Sequence, residues 1–222
     1  MNIQKHSKIL IILVVLTALA GAGFFVYKNL AEPKIAEDET LVAVSDDQLV
    51  IKEAAPEATL LVKDDFQITL PPGWQEVQEV KDFPGVLTMA VDAKEEIQDE
   101  KAKNIDFQTN FSIKRDDLAK YSSLSGAADY VKSIKDSLAQ LIPGINFTHE
   151  EQRTIGGRNA FFIECESTQQ EIDFKTLLVF IEGNNQTIWA ISFNTFQDSW
   201  TAYRDLFYQT AESFRLKYQL EL

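Results

Sequence analysis

From Phe66 onward apolar and polar residues alternate, and the segments that alternate are separated by turns too short to hold a helix. A parallel sheet needs a crossover of a dozen or more residues between neighbouring strands, so this chain is confined to antiparallel pairing over most of its length. Phe66, Ile68 and Leu70 alternate with Gln67 and Thr69 until Pro71-Pro72-Gly73 stops the run before Trp74. Leu87, Met89 and Val91 suggest a second strand, and Glu95–Lys103 a charged loop or frayed turn. Phe107, Thr109, Phe111 and Ile113 then give a strand with one wet face. A meander follows over 145–155, 159–167, 172–181 and 187–194, with Gly156-Gly157 at one turn and Glu182-Gly183-Asn184-Asn185 at a hairpin.

Two segments break the strand period. Ala127, Tyr130, Val131, Ile134, Leu138 and Leu141 recur at helical spacing, with Ser125 as a cap and Pro143-Gly144 as the stop. Trp200, Tyr203, Phe207, Ala211 and Phe214 mark a C-terminal helix for which Asp198 is a suitable N-cap. Strands, helix, four strands, helix is an α+β order: an antiparallel β-sheet flanked by helices.

Ahead of this body, Ile9 to Tyr27 runs 19 residues without a charge, close to the length that crosses a hydrocarbon core of about 30 Å. Lys5 and Lys8 precede it, and Glu32, Glu37, Asp38 and Glu39 follow beside only Lys28 and Lys34, so the charge bias places residues 1–8 in the cytoplasm and the rest outside, as a single-pass cell-membrane protein. A cleaved signal peptide is the rival reading, since Ala18-Leu19-Ala20 and Ala20-Gly21-Ala22 suit a peptidase. The run nevertheless continues through Phe24, Phe25, Val26 and Tyr27, past both sites. Residues 28–64 read as an acidic, extended spacer, with short β-prone pieces at Leu41–Val44 and Gln48–Lys52, and the folded domain is expected over 65–218.

Acids outnumber bases 34 to 21, a net charge of −13, which excludes a nucleic-acid surface and makes cations or basic surfaces the expected electrostatic partners. A single cysteine, Cys165, leaves no intrachain disulfide; it shares a strand face with Phe161 and Ile163 and reads as core.

The pattern Phe66-Gln67-Ile68-Thr69-Leu70-Pro71-Pro72-Gly73-Trp74 resembles the opening strand of the PsbP-like family. Gly156-Gly157-Arg158-Asn159-Ala160-Phe161 is similar to that family's turn into a central strand, and Ile188-Trp189-Ala190-Ile191 followed by Ala211-Glu212-Ser213-Phe214 fits its C-terminal half. The resemblance covers about 66–216 and implies an α/β/α sandwich around an antiparallel sheet, used as a non-catalytic accessory or binding domain. A membrane anchor and acidic spacer set this chain apart from the photosynthetic members, and no photosystem role is carried over.

Catalytic chemistry finds little footing. Two histidines, only one of them (His149) beyond the apolar run, exclude a multi-histidine zinc site, and HExxH, GxSxG, SxxK and phosphate-loop patterns are missing, so no cofactor is expected. His149 beside Glu150 and Glu151 is a candidate general base. Glu164, Glu166, Glu171 and Asp173 flank one turn, with Glu164 and Glu166 on the face of Phe162, and are the weak candidates for a hard-cation site. Asp46-Asp47, Asp64-Asp65 and Asp116-Asp117 lack calcium-loop spacing, and the sequons at Asn146 and Asn185 carry no functional weight. The leading expectation is a membrane-tethered, extracytoplasmic binding module for an envelope protein or small ligand. A hydrolase with carboxylate or Ser–Lys chemistry, or an acidic cation-retaining module, is the alternative.

Overall fold

Alternation over a long central stretch builds two sheets. The computed structural model describes residues 57–217 apart from 79, 81–84, 98–102, 104–106, 122 and 170. The expected anchor at 9–27 and the pieces at 41–52 therefore lie outside the described residues. Among the described residues no helix is long and apolar enough to cross a membrane.

Among the described residues, ten strands and two α-helices follow in order: β1 Thr59–Val62, β2 Phe66–Leu70, β3 Trp74–Glu76, β4 Val86–Asp92, β5 Asn110–Asp117, α1 Ala127–Leu141, β6 Asn146–Ile155, β7 Arg158–Gln169, β8 Ile172–Glu182, β9 Thr187–Phe196, α2 Trp200–Glu212 and β10 Arg215–Leu216. A seven-stranded sheet runs β3-β4-β5-β9-β8-β7-β6 and a three-stranded sheet β1-β2-β10. Every pairing is antiparallel.

The large sheet buries both faces, because successive side chains point to opposite sides. On one face Phe111, Ile113, Phe162, Val179, Ile191 and Phe193 pack with Phe207 and Ala211 of α2 and with Phe66 and Ile68 of the small sheet. On the other, Ile163, Cys165, Leu178 and Phe180 meet Tyr130, Val131 and Leu138 of α1. The layers are therefore helix, sheet, then helix with the small sheet.

Several local expectations need correction. Ser125 does not cap α1 by accepting from the helix: its N–H and hydroxyl both donate to Asp129, and Gly126 occupies the cap position. Asp198 sits inside a 3-10 turn, Gln197–Ser199, so α2 starts two residues later without a side-chain cap. Ladder pairing of β5 begins at Asn110; Phe107 instead packs edge-on against Phe174 and Phe196. Leu87 is exposed although Met89 and Val91 are buried. A register shift between Val86 and Thr88 makes Leu87 the extra residue of a bulge, which ejects it from the face its spacing assigns. Strands β1, β3 and β10 went unforeseen, being two to four residues long. β1 falls in the stretch read as spacer.

Candidate functional site

Glu164 and Glu166 do project from β7 toward the face of Phe162, but they meet cations from the protein itself. Glu164 is buried; its Oε1 accepts from Arg204 Nε at 3.0 Å and from the Tyr208 hydroxyl at 3.0 Å, and Lys175 Nζ stands 3.6 Å from its Oε2. Lys175 Nζ donates to Glu166 at 2.8 Å and to Thr148 Oγ1 at 2.6 Å, over the ring of Trp200. Thr148 can reach it because it is the extra residue of a bulge in β6, between Phe147 and His149. This lysine and hydroxyl are as close as a Ser–Lys pair would be. Lys175, however, donates to the hydroxyl while two carboxylates face it, the reverse of what a base must do.

The other two acids do not join them. Asp173 accepts from Thr168 across the β7–β8 ladder at 2.5 Å, and Glu171 occupies the turn with φ 63°. Among the described residues no three His, Cys, Asp or Glu side chains are gathered as a metal site.

His149 lies on the exposed edge strand β6 with Nε2 3.5 Å from Glu151, and Glu151 is held by Arg153 at 2.7 Å, which pulls its carboxyl below the usual range. Cys165 is buried against α1, and that burial pushes its thiol up to about 12, so no thiolate is available near neutral pH. Asp65 pairs with Arg115 at 2.6 Å, and Asp116 accepts from the hydroxyls of Tyr121 and Tyr130, so two of the acidic doublets are structural. A further carboxyl that the sequence left unremarked is Glu95. It accepts both the N–H and hydroxyl of Thr109, and burial nonetheless raises it above the ordinary carboxyl range.

One concave feature draws on distant parts of the chain. At the end of the domain where the β1–β2 turn, the C-terminal part of β5, the β8–β9 hairpin and β10 meet, Asp65, Arg115, Asn184, Thr187, Trp189 and Lys217 line a cavity of about 190 Å³. Its frame is tight. Lys217 N–H donates to the Asp65 carbonyl at 2.9 Å, Gly183 N–H to the Thr187 carbonyl at 2.8 Å, and Leu118 N–H to the Gln186 carbonyl at 2.8 Å. Asn185 and Gln186 both hold positive φ, 52° and 58°, as the two central residues of a primed hairpin turn closed by the Thr187 N–H donating to the Asn184 carbonyl at 3.0 Å. The Arg115 guanidinium lies 5.7 Å from the centre of the Trp189 ring. Sequence reading saw Trp189 as core and the hairpin as a turn. The site escaped it because its members are up to 152 residues apart (Asp65 to Lys217) with no local spacing to betray them.

A two-sided antiparallel sheet with a helix on each face, closed at one end by loops around a small polar cavity, defines an α/β/α sandwich. The PsbP family pattern matches residues 62–216, and the chain belongs to the PsbP family. The fold is similar to that of cyanobacterial PsbP (CyanoP) from Synechocystis sp. PCC 6803, with a TM-score of 0.53 and 18% identity over 78% of this chain and 98% of that one. It is also similar to the Ran-binding protein Mog1p of Saccharomyces cerevisiae, with a TM-score of 0.52 and 12% identity over 73% and 96%. No curated protein matches the chain.

Proposed function

We propose that this protein is a membrane-tethered accessory domain that works by binding, held outside the cytoplasm by Ile9–Tyr27 on the spacer 28–64. The observation that carries the reading is the contrast between two regions. The acids that could have done chemistry are locked by Lys175, Arg204 and Tyr208, whereas the cavity around Arg115 is open, polar and built from loops on a rigid frame. Loops on a rigid scaffold are where proteins place recognition. Membership of the PsbP family is in keeping with an accessory role, and Mog1p, named for binding Ran, is a second body of this fold that acts as a binder.

The anchor reading is supported by the 19 uncharged residues of Ile9–Tyr27, and its orientation by Lys5 and Lys8 before the run and Glu32, Glu37, Asp38 and Glu39, beside Lys28 and Lys34, after it. The test has two parts. A reporter that is active only outside the cytoplasm, fused after Leu222, is expected to be active; a cytosolic signal would end the tethered reading. Cross-linking of the full-length chain in its membrane is expected to trap one defined protein in stoichiometric yield, and a chain that traps none and retains no small molecule on purification is not a binding module.

A further inference from the structure

We infer that the cavity at the β8–β9 end takes a carboxylate side chain on an acidic peptide segment of a partner protein. The inference rests on the binding-module reading and gives that module a ligand class.

Size comes first. At about 190 Å³ the cavity far exceeds what one water needs, yet it is smaller than the pockets of roughly 300–1,000 Å³ that engulf whole small molecules. It suits a single side chain entering from a larger body. Charge decides which side chain. Arg115 and Lys217 line the cavity, and Arg158 stands beside it, donating to Asn184 at the rim, so this end presents cations in a chain of net charge −13.

Arg115 is positioned for the task. Its Nη1 donates to Asp65 at 2.6 Å, and Trp189 supports the guanidinium from one side. That bond occupies one of the five N–H donors of a guanidinium, while orienting the fork that carboxylates match in bidentate fashion. An arginine already fixed in place loses less side-chain entropy when a ligand arrives.

Asp65 also argues against a free phosphate. A doubly charged oxyanion beside that carboxylate meets a like charge, whereas a peptide offers backbone N–H groups to Asp65 and a single carboxylate to Arg115. The mixed lining therefore favours an acidic side chain carried on a peptide.

Full-length protein in detergent micelles should be titrated calorimetrically with acetylated tetraglutamate, with acetylated tetraglutamine, and with inorganic phosphate. Saturable heat with tetraglutamate alone is expected, weakened at least tenfold by Arg115→Gln and by Lys217→Gln and unchanged by Lys132→Gln, which alters an exposed lysine on α1. No saturable heat, phosphate binding as tight as tetraglutamate, or tetraglutamate binding that survives both cavity variants would overturn the assignment. A partner cross-linked equally well by the wild type and Arg115→Gln would also overturn it while leaving the binding-module reading in place; a chain that binds neither peptide nor partner sinks both.

Discussion

Glu164 shows what a single residue can conceal. A glutamate alternating with Phe162 on a strand reads as one more carboxylate on a wet sheet wall, but α2 covers that wall and supplies Arg204 and Tyr208 to meet it. Tyr208 stacks on Phe162 and lies beneath two guanidinium groups, those of Arg153 and Arg204, so the acid sits at the inner end of an aromatic and cationic stack. The side chains of Glu164 and Lys175 are each 6% exposed; removing the Glu164 charge leaves Lys175 with Glu166 as its carboxylate but weakens the charge-assisted bonds from Arg204 and Tyr208, a loss of about 1–3 kcal/mol. Glu164→Gln is therefore expected to lower the unfolding free energy in urea by about 2 kcal/mol. The double change Glu164→Leu with Lys175→Met should recover more than half of that, since a packed apolar pair has no buried charge to satisfy. A loss well below about 1 kcal/mol for the single variant would mean that water reaches the pair.

Among the elements, the β8–β9 hairpin is the most tightly specified. Gly183 is required there by space: a Cβ would stand 2.1 Å from Thr187 Oγ1 and 3.0 Å from the Trp189 ring, which the core holds in place. Gly183→Ala is expected to destabilise the fold by about 1–3 kcal/mol through overpacking, read as a lowered thermal midpoint. Gly126→Ala is the matched control: nothing stands within 4 Å of its Cβ and its backbone is extended, so its midpoint should stay close to that of the wild type. At the far edge of the large sheet, β6 runs ten residues with one side unpaired. His149, Glu150, Glu151 and Arg153, together with the bulge at Thr148, make that edge a poor template for another strand. The residues that raised the question of acid–base chemistry thus have a structural use in guarding an edge.

For the molecule as a whole, the two faces of the large sheet share one body. Aromatic packing on the α2 side runs from Trp74 through Phe111, Phe193 and Phe207 to Trp200, joining residues from both ends of the domain. Residues 57–217 expressed alone should therefore unfold in a single cooperative transition that coincides by near-ultraviolet dichroism and tryptophan fluorescence. Separate transitions for the two probes would show that the domain is not one cooperative unit.

Sequence by itself determined the antiparallel α+β class, the two helices, seven of the ten described strands and the PsbP resemblance, because period-two and 3.6-residue patterns are local records of which face is buried. The long strands β7 to β9 were legible for that reason. Strands of two to four residues such as β1, β3 and β10 carry too few residues to show a period, and the bulges at Leu87 and Thr148 shift a face without changing the spacing around it. Only the tertiary structure decided which acids meet cations and where Asp65, Arg115, Trp189 and Lys217 converge. Such meetings depend on chain segments more than a hundred residues apart being brought to one end of a sheet, and no neighbouring residue in the sequence records that distance.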